Sequence, residues 1–180
     1  MGDFAGSRLP PVRKVITYHR ADGKAAVQSN EALEPQALPL GPGLSEIQVW
    51  VTKDFPSTDN NSSDDGGQRQ IQDAANFNLV EPTGTNLRFT DLAAGAATPW
   101  HRTTSIDYNV LTHGELVLLM EDGSETHLKN PGDTVVQKGT MHAWRNPGRT
   151  TARWVSVLQP AVAAVVDGVA LKAEIGAMAE

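Results

Sequence analysis

Between Gly84 and Pro160 the chain divides into short runs in which apolar and polar residues alternate: NLRFTDL, DYNVLTHGEL, ELVLLMEDG, DTVVQKG, HAWRNPG and ARWVSVLQP. Successive side chains of a strand point to opposite faces, so a period of two predicts strands. Turn signals separate the runs: Ala-Gly, His-Gly, Asp-Gly-Ser and two Asn-Pro-Gly segments. Many short strands at close, even spacing predict an all-β sandwich or barrel.

The flanks read differently. Two extended runs surround Asp22-Gly23, a strong hairpin signal. A Pro- and Gly-punctuated connector follows, so residues 1–45 are expected to form an N-terminal hairpin arm. In EIQVWVTKDFP, Ile47, Val49 and Val51 alternate with Glu46, Gln48 and Trp50, the pattern of a half-buried strand. The polar stretch PSTDNNSSDDGGQRQ predicts a mobile surface loop over 57–80. It is not an EF-hand, because a loop starting at Asp59 would place Asp64 and Gln70 where Gly and Glu are needed. Residues 46–160 are therefore the expected barrel. In 161–180, Val162, Val165, Val166 and Val169 fall on one helical stripe, which predicts a C-terminal helix weakened by Gly168 and Gly176.

Composition narrows the chemistry. The 180 residues suit one domain. A net charge of −6 disfavours nucleic acid and anionic membrane surfaces as partners. The absence of cysteine removes disulfides, thiolate metal sites and a Cys nucleophile. The N-terminus shows no apolar signal segment, and the longest apolar run is too short to span a bilayer, so a cytoplasmic location is expected. No P-loop, G-x-G-x-x-G or G-x-S-x-G motif is present.

The candidate chemistry lies in PWHRTTSIDYNVLTHGEL and GDTVVQKGTMHAWRN. In the first, Gly95 precedes His101, Arg102 and Thr103 by five residues; Asp107 follows after three more, and Gly114 after a further six. In the second, Gly132 leads through Lys138-Gly139 to His142 and, after three intervening residues, to Asn146. The two motifs in this order resemble the cupin family of small double-stranded β-helix (jelly-roll) barrels. The whole layout resembles small single-domain cupins (cupin 2 type) of fungal secondary-metabolite biosynthesis. The resemblance implies a jelly-roll barrel with an N-terminal strand extension, and a homodimer. It also implies a site in which three His and one Glu surround a metal. Here Thr103 stands where that family has its second His, Asp107 replaces Glu, and Lys138 replaces a proline.

The retained residues leave alternatives open. His101, Asp107 and His142 can form a facial triad for one divalent metal, Zn, Fe or Mn. Without metal, His101 and His142 can act as general acid and base, with Asp107 orienting one imidazole and raising its pKa. A third use is purely structural. Arg88 can clamp a substrate carboxylate or form a surface salt bridge. Tyr108, beside Asp107, can donate a phenolic proton or serve as a core hydroxyl. Trp100 and Trp144 flank the two histidines, and strand alternation is expected to turn them outward. The expected function is an enzyme for a small, oxygenated, carbonyl-type metabolite, performing dehydration, decarboxylation, isomerisation or cyclisation. An Fe(II) dioxygenase and a non-catalytic ligand-binding cupin are the alternatives.

Overall fold

The computed structural model describes residues 9–179; the first residues, read above for targeting signals, lie outside that range, as does Glu180. The alternating runs become two facing sheets. One has six strands in the order β10-β7-β12-β5-β4-β3 and the other five in the order β15-β6-β11-β8-β9. The first is built on β4 (Leu44–Val51), β5 (Asn86–Leu92), β7 (Ser105–His113), β10 (Thr134–Gln137) and β12 (Ala152–Pro160), with the short β3 (Gln36–Ala37) at its edge. The second contains β6 (Pro99–Arg102), β8 (Leu116–Met120), β9 (Glu125–Leu128), β11 (His142–Arg145) and β15 (Glu174–Met178). Every pairing is antiparallel, which gives the expected all-β jelly roll.

The inner faces fill unequally. At one end Leu92, Leu111, Leu116, Trp144 and Trp154 form the main apolar core. At the other end the inward positions are polar and surround a cavity. The Gly114 turn, at φ 72, brings its backbone so close to Ala152 that an added Cβ would lie 3.0 Å from the Ala152 Cα. Asn146 is fully buried and closes the β11–β12 connection, donating from Nδ2 to the carbonyls of Leu92 and Thr150. Its role is therefore architectural.

The N-terminal arm is the expected hairpin, β1 (Val12–His19) against β2 (Ala25–Leu33). A buried ion pair ties the adjoining chain to the barrel: Arg153 makes a bidentate contact with Asp91 at 2.6 and 2.7 Å and donates to the Pro10 carbonyl.

Two expectations fail. The C-terminal segment is not a helix. It forms a hairpin, β13 (Val165–Val166) with β14 (Val169–Ala170), and then the edge strand β15. Asp167 and Gly168 sit at φ 50 and 79, the doubly left-handed turn that favours Asp-Gly in two-residue hairpins. That turn and the β-branched valines outweigh the helical spacing. Residues 57–80 are also more than a surface loop. The segment contains three 3-10 turns, buries Ile71 and Val80, and is fastened by Lys14–Asp65 and Arg69–Asp59 ion pairs at 2.8 Å.

Candidate active site

The cavity opens between the two sheets with a volume of about 470 Å3, within the range of small-molecule sites. Its floor is Trp144 and Trp154, whose ring centroids lie 5.7 Å apart. Ile71, Phe77, Asn78 and Leu79 of the 57–80 segment form part of its wall, and Ile175 of β15 another.

His101 and His142 are direct cross-strand partners, one on β6 and one on β11. That register brings their ring centroids to 4.2 Å, with the planes inclined by 49°. Each ring is held in the same way. His101 Nδ1 lies 2.9 Å from the Pro99 carbonyl and His142 Nδ1 lies 3.0 Å from the Thr140 carbonyl. A carbonyl only accepts, so each proton resides on Nδ1 and each Nε2 keeps its lone pair. Burial pushes the pKa of His142 down to about 3, and neighbouring His101 adds to the effect while the Thr140 carbonyl opposes it. Burial likewise lowers His101 against the Pro99 carbonyl, and the Arg88 guanidinium lowers it further. Both rings are neutral hydrogen-bond acceptors at physiological pH.

Asp107 lies on the opposite sheet and also lines the cavity. Ser105 Oγ donates to it at 2.6 Å, and the Thr103 hydroxyl lies 2.8 Å from Ser105 Oγ. Thr103, where the second imidazole was expected, therefore belongs to a buried hydroxyl chain that ends on Asp107. Burial raises the Asp107 pKa to about 6, while Ser105 and Arg88 pull it the other way. The expectation that Asp107 orients an imidazole and raises its pKa is not met, because backbone carbonyls hold both rings. The order of basicity is reversed: the carboxyl, at about 6, outranks His142, at about 3.

Arg88 lines the same cavity, so it is not in a surface salt bridge. It is paired with Glu46 of the neighbouring strand, and Asp107 is close enough to interact electrostatically. Tyr108 alternates with Asp107 on β7, so it faces outward, is 42% exposed and does not line this cavity. Trp100 does turn away from the cavity and packs against Val117, Leu119 and Ala143. Trp144 does not, because it stands two residues from His142 and shares its face.

Among the described residues no group of three or more His, Asp or Glu side chains is placed to hold a metal ion, so His101, Asp107 and His142 line one cavity without forming a ligand triad.

Several lining residues escaped the sequence reading: Glu46, Gln48, Asn86, Asn109 and Ser156. A signal was available. Polar residues at alternate positions, Asn86-x-Arg88-x-Thr90 and Asp107-x-Asn109, lie in otherwise strong strands, and both series are buried. On β4 the expected half-buried pattern holds with the polar side toward the site: Glu46 and Gln48 line the cavity, while Ile47 between them is buried on the other face.

No family model matches the chain. It is 31% identical over 181 residues to Oryzines biosynthesis cluster protein J of Aspergillus oryzae, with 98% of both chains covered. It is 28% identical to the cupin-domain-containing oxidoreductase fogC of Aspergillus ruber, across 96% of this chain and 84% of that one. The solved structure of the polyketide cyclase RemF from Streptomyces resistomycificus aligns over 70% of this chain and 72% of that one at 14% identity, with a TM-score of 0.48. A relative this similar along its full length, joined to two motifs whose histidines meet across a jelly-roll cavity, shows that the chain belongs to the cupin family and resembles the small cupins of fungal secondary-metabolite biosynthesis.

Proposed function

We propose that this cupin is a small-molecule enzyme that moves a proton at a carbon next to a carbonyl, and so performs a dehydration, isomerisation or cyclisation. The relatives support the class: one is described as a biosynthesis cluster protein and another as a cupin-domain-containing oxidoreductase. The observation that carries the chemistry is the enclosure of Asp107, Arg88 and two neutral imidazoles in one cavity.

A general base works best when its pKa lies near the working pH, and burial has moved Asp107 toward that value. Its carboxylate takes the proton from carbon. The C–H electrons pass into the carbonyl, and the developing negative charge on oxygen is stabilised by the Arg88 guanidinium. The protonated Asp107 then returns the proton to a second carbon or to a departing hydroxyl. His101 and His142 accept hydrogen bonds at Nε2 from substrate hydroxyls and fix the orientation. Trp144 and Trp154 exclude water from the floor, which strengthens each of these interactions.

The test is deuterium wash-in from D2O into a panel of aryl ketones and β-hydroxy ketones, read by NMR. The wild-type protein is expected to accelerate exchange on at least one compound, and Asp107→Asn to lose the acceleration. Exchange that survives in Asp107→Asn, or no acceleration across the panel, overturns the reading. The description of the Aspergillus ruber relative favours a second reading, oxidation of such a compound. Oxygen uptake in the same assay separates the two. The homodimer expected from the family is kept as part of the proposal, with light scattering as its test.

A further inference from the structure

The inner face of the six-stranded sheet carries a row of polar groups set by register. On β12, Ser156 stands opposite Arg88 of β5 on one side and opposite Asn109 of β7 on the other. All three are buried and line the cavity. Ser156 Oγ donates to Asn109 Oδ1 at 2.6 Å, and the NH2 group of that amide has no protein partner among the described residues. Arg88 has five N–H donors, and its hydrogen bond among the described residues goes to Glu46. Toward the cavity the row therefore offers donors, and it calls for a ligand oxygen that accepts.

The charge balance decides which kind of oxygen. Arg88 is the cation among these lining residues, and it already faces two carboxyl groups: Glu46, in direct contact, and Asp107. A ligand carboxylate placed on the row would be a third negative group around one buried guanidinium. Uncompensated charge in a buried site is strongly unfavourable, whereas a neutral carbonyl brings acceptor lone pairs and no charge. Glu46 lies on the strand next to Arg88 and is about one-third exposed, so it cancels the guanidinium charge from the rim of the site.

We propose that Glu46 is a specificity-determining residue: by neutralising Arg88 it makes the Arg88–Ser156–Asn109 row a subsite for an uncharged carbonyl, quinone or phenolic oxygen and turns carboxylates away. This rests on the small-molecule reading above and narrows it to substrates that present an uncharged oxygen to Arg88.

The test is equilibrium binding of a matched pair, methyl 1-naphthyl ketone and 1-naphthoate, at pH 8. It is followed by the fluorescence of Trp144 and Trp154 at the cavity floor and checked by calorimetry. The wild-type protein is expected to bind the ketone at least about tenfold more tightly than the carboxylate, and Glu46→Gln to shift that ratio toward naphthoate by about tenfold or more. Circular dichroism establishes that the variant is folded, and the wild-type ratio stands as a measurement by itself if it is not. Tighter binding of naphthoate to the wild type, no binding of the ketone, or an unchanged ratio in folded Glu46→Gln overturns the proposal. Binding is read without turnover, so the two readings fail separately. A preserved ketone preference with no deuterium exchange sinks the proton-transfer chemistry alone. Intact exchange with a carboxylate preference sinks the role of Glu46 alone.

Discussion

His101 and His142 face each other across adjacent strands with ring centroids 4.2 Å apart, and each gives its Nδ1 proton to the carbonyl two residues before it. The two rings are thus locked by the same local device and present unprotonated Nε2 atoms to one cavity. Because both are buried, a charge on either would be unfavourable, and proximity makes a charge on both worse.

This pairing predicts that His101→Ala and His142→Ala each reduce substrate turnover, chiefly through KM and orientation. Asp107→Asn should act on kcat, by about a hundred- to ten-thousand-fold. The double histidine variant should be scarcely worse than either single one, because the rings orient one substrate together. Steady-state kinetics of the four variants is the check. Chelation of divalent metal followed by dialysis should leave the exchange rate intact, because no step in this scheme passes through a metal.

The Asp107 pKa of about 6 sets the pH dependence of activity. The carboxylate is the working form, so the rate should rise as pH increases through about 6 and then level off. Ser105→Ala removes the hydroxyl that favours the charged form, so the rising limb should move to higher pH with the fold unchanged. A limb that stays in place would show that another group titrates.

Stability should respond to the same groups with opposite signs. Asp107 is shifted from 3.8 to about 6, so the folded state holds a proton that the unfolded chain has released. Its contribution is most favourable below pH 4 and is lost as pH rises through 6, a penalty of about 3 kcal/mol. Asp107→Asn should therefore raise Tm at pH 8 and change it little at pH 4. His142 is shifted from 6.5 to about 3, so the unfolded chain takes up a proton that the fold refuses. That contribution is present above pH 6.5 and is lost as pH falls toward 3, so His142→Gln should flatten the acid side of the stability curve. Calorimetric melts at pH 4, 6 and 8 test both signs.

The Arg153–Asp91 pair predicts a structural failure remote from the chemistry. Arg153→Ala strands the buried Asp91 carboxylate and frees the Pro10 carbonyl, at a cost of about 3–5 kcal/mol. Arg153→Met combined with Asp91→Leu should cost markedly less, because no buried charge is left unpaired. Chemical denaturation of the two variants distinguishes the outcomes.

The sequence by itself determined the strands and the hairpin arm, because a period of two and turn chemistry act over a few residues, while the meeting of His101 with His142 was legible only through the resemblance of the two motifs to cupins. It also contained the inward series Asn86-Arg88-Thr90 and Asp107-Asn109, legible as polar residues at alternate positions of strong strands. The tertiary structure decided the rest. Which face of β4 meets the cavity depends on what covers both sides of that strand, and there Glu46 and Gln48 turn inward while Ile47 packs on the other side. The C-terminal valines fitted a helical stripe until the Asp167-Gly168 turn and the open edge of β6 claimed the segment for strands. The exchange of basicity between Asp107 and His142 was beyond any local pattern. It arises from desolvation by residues distant in sequence, and only the assembled cavity brings those residues together.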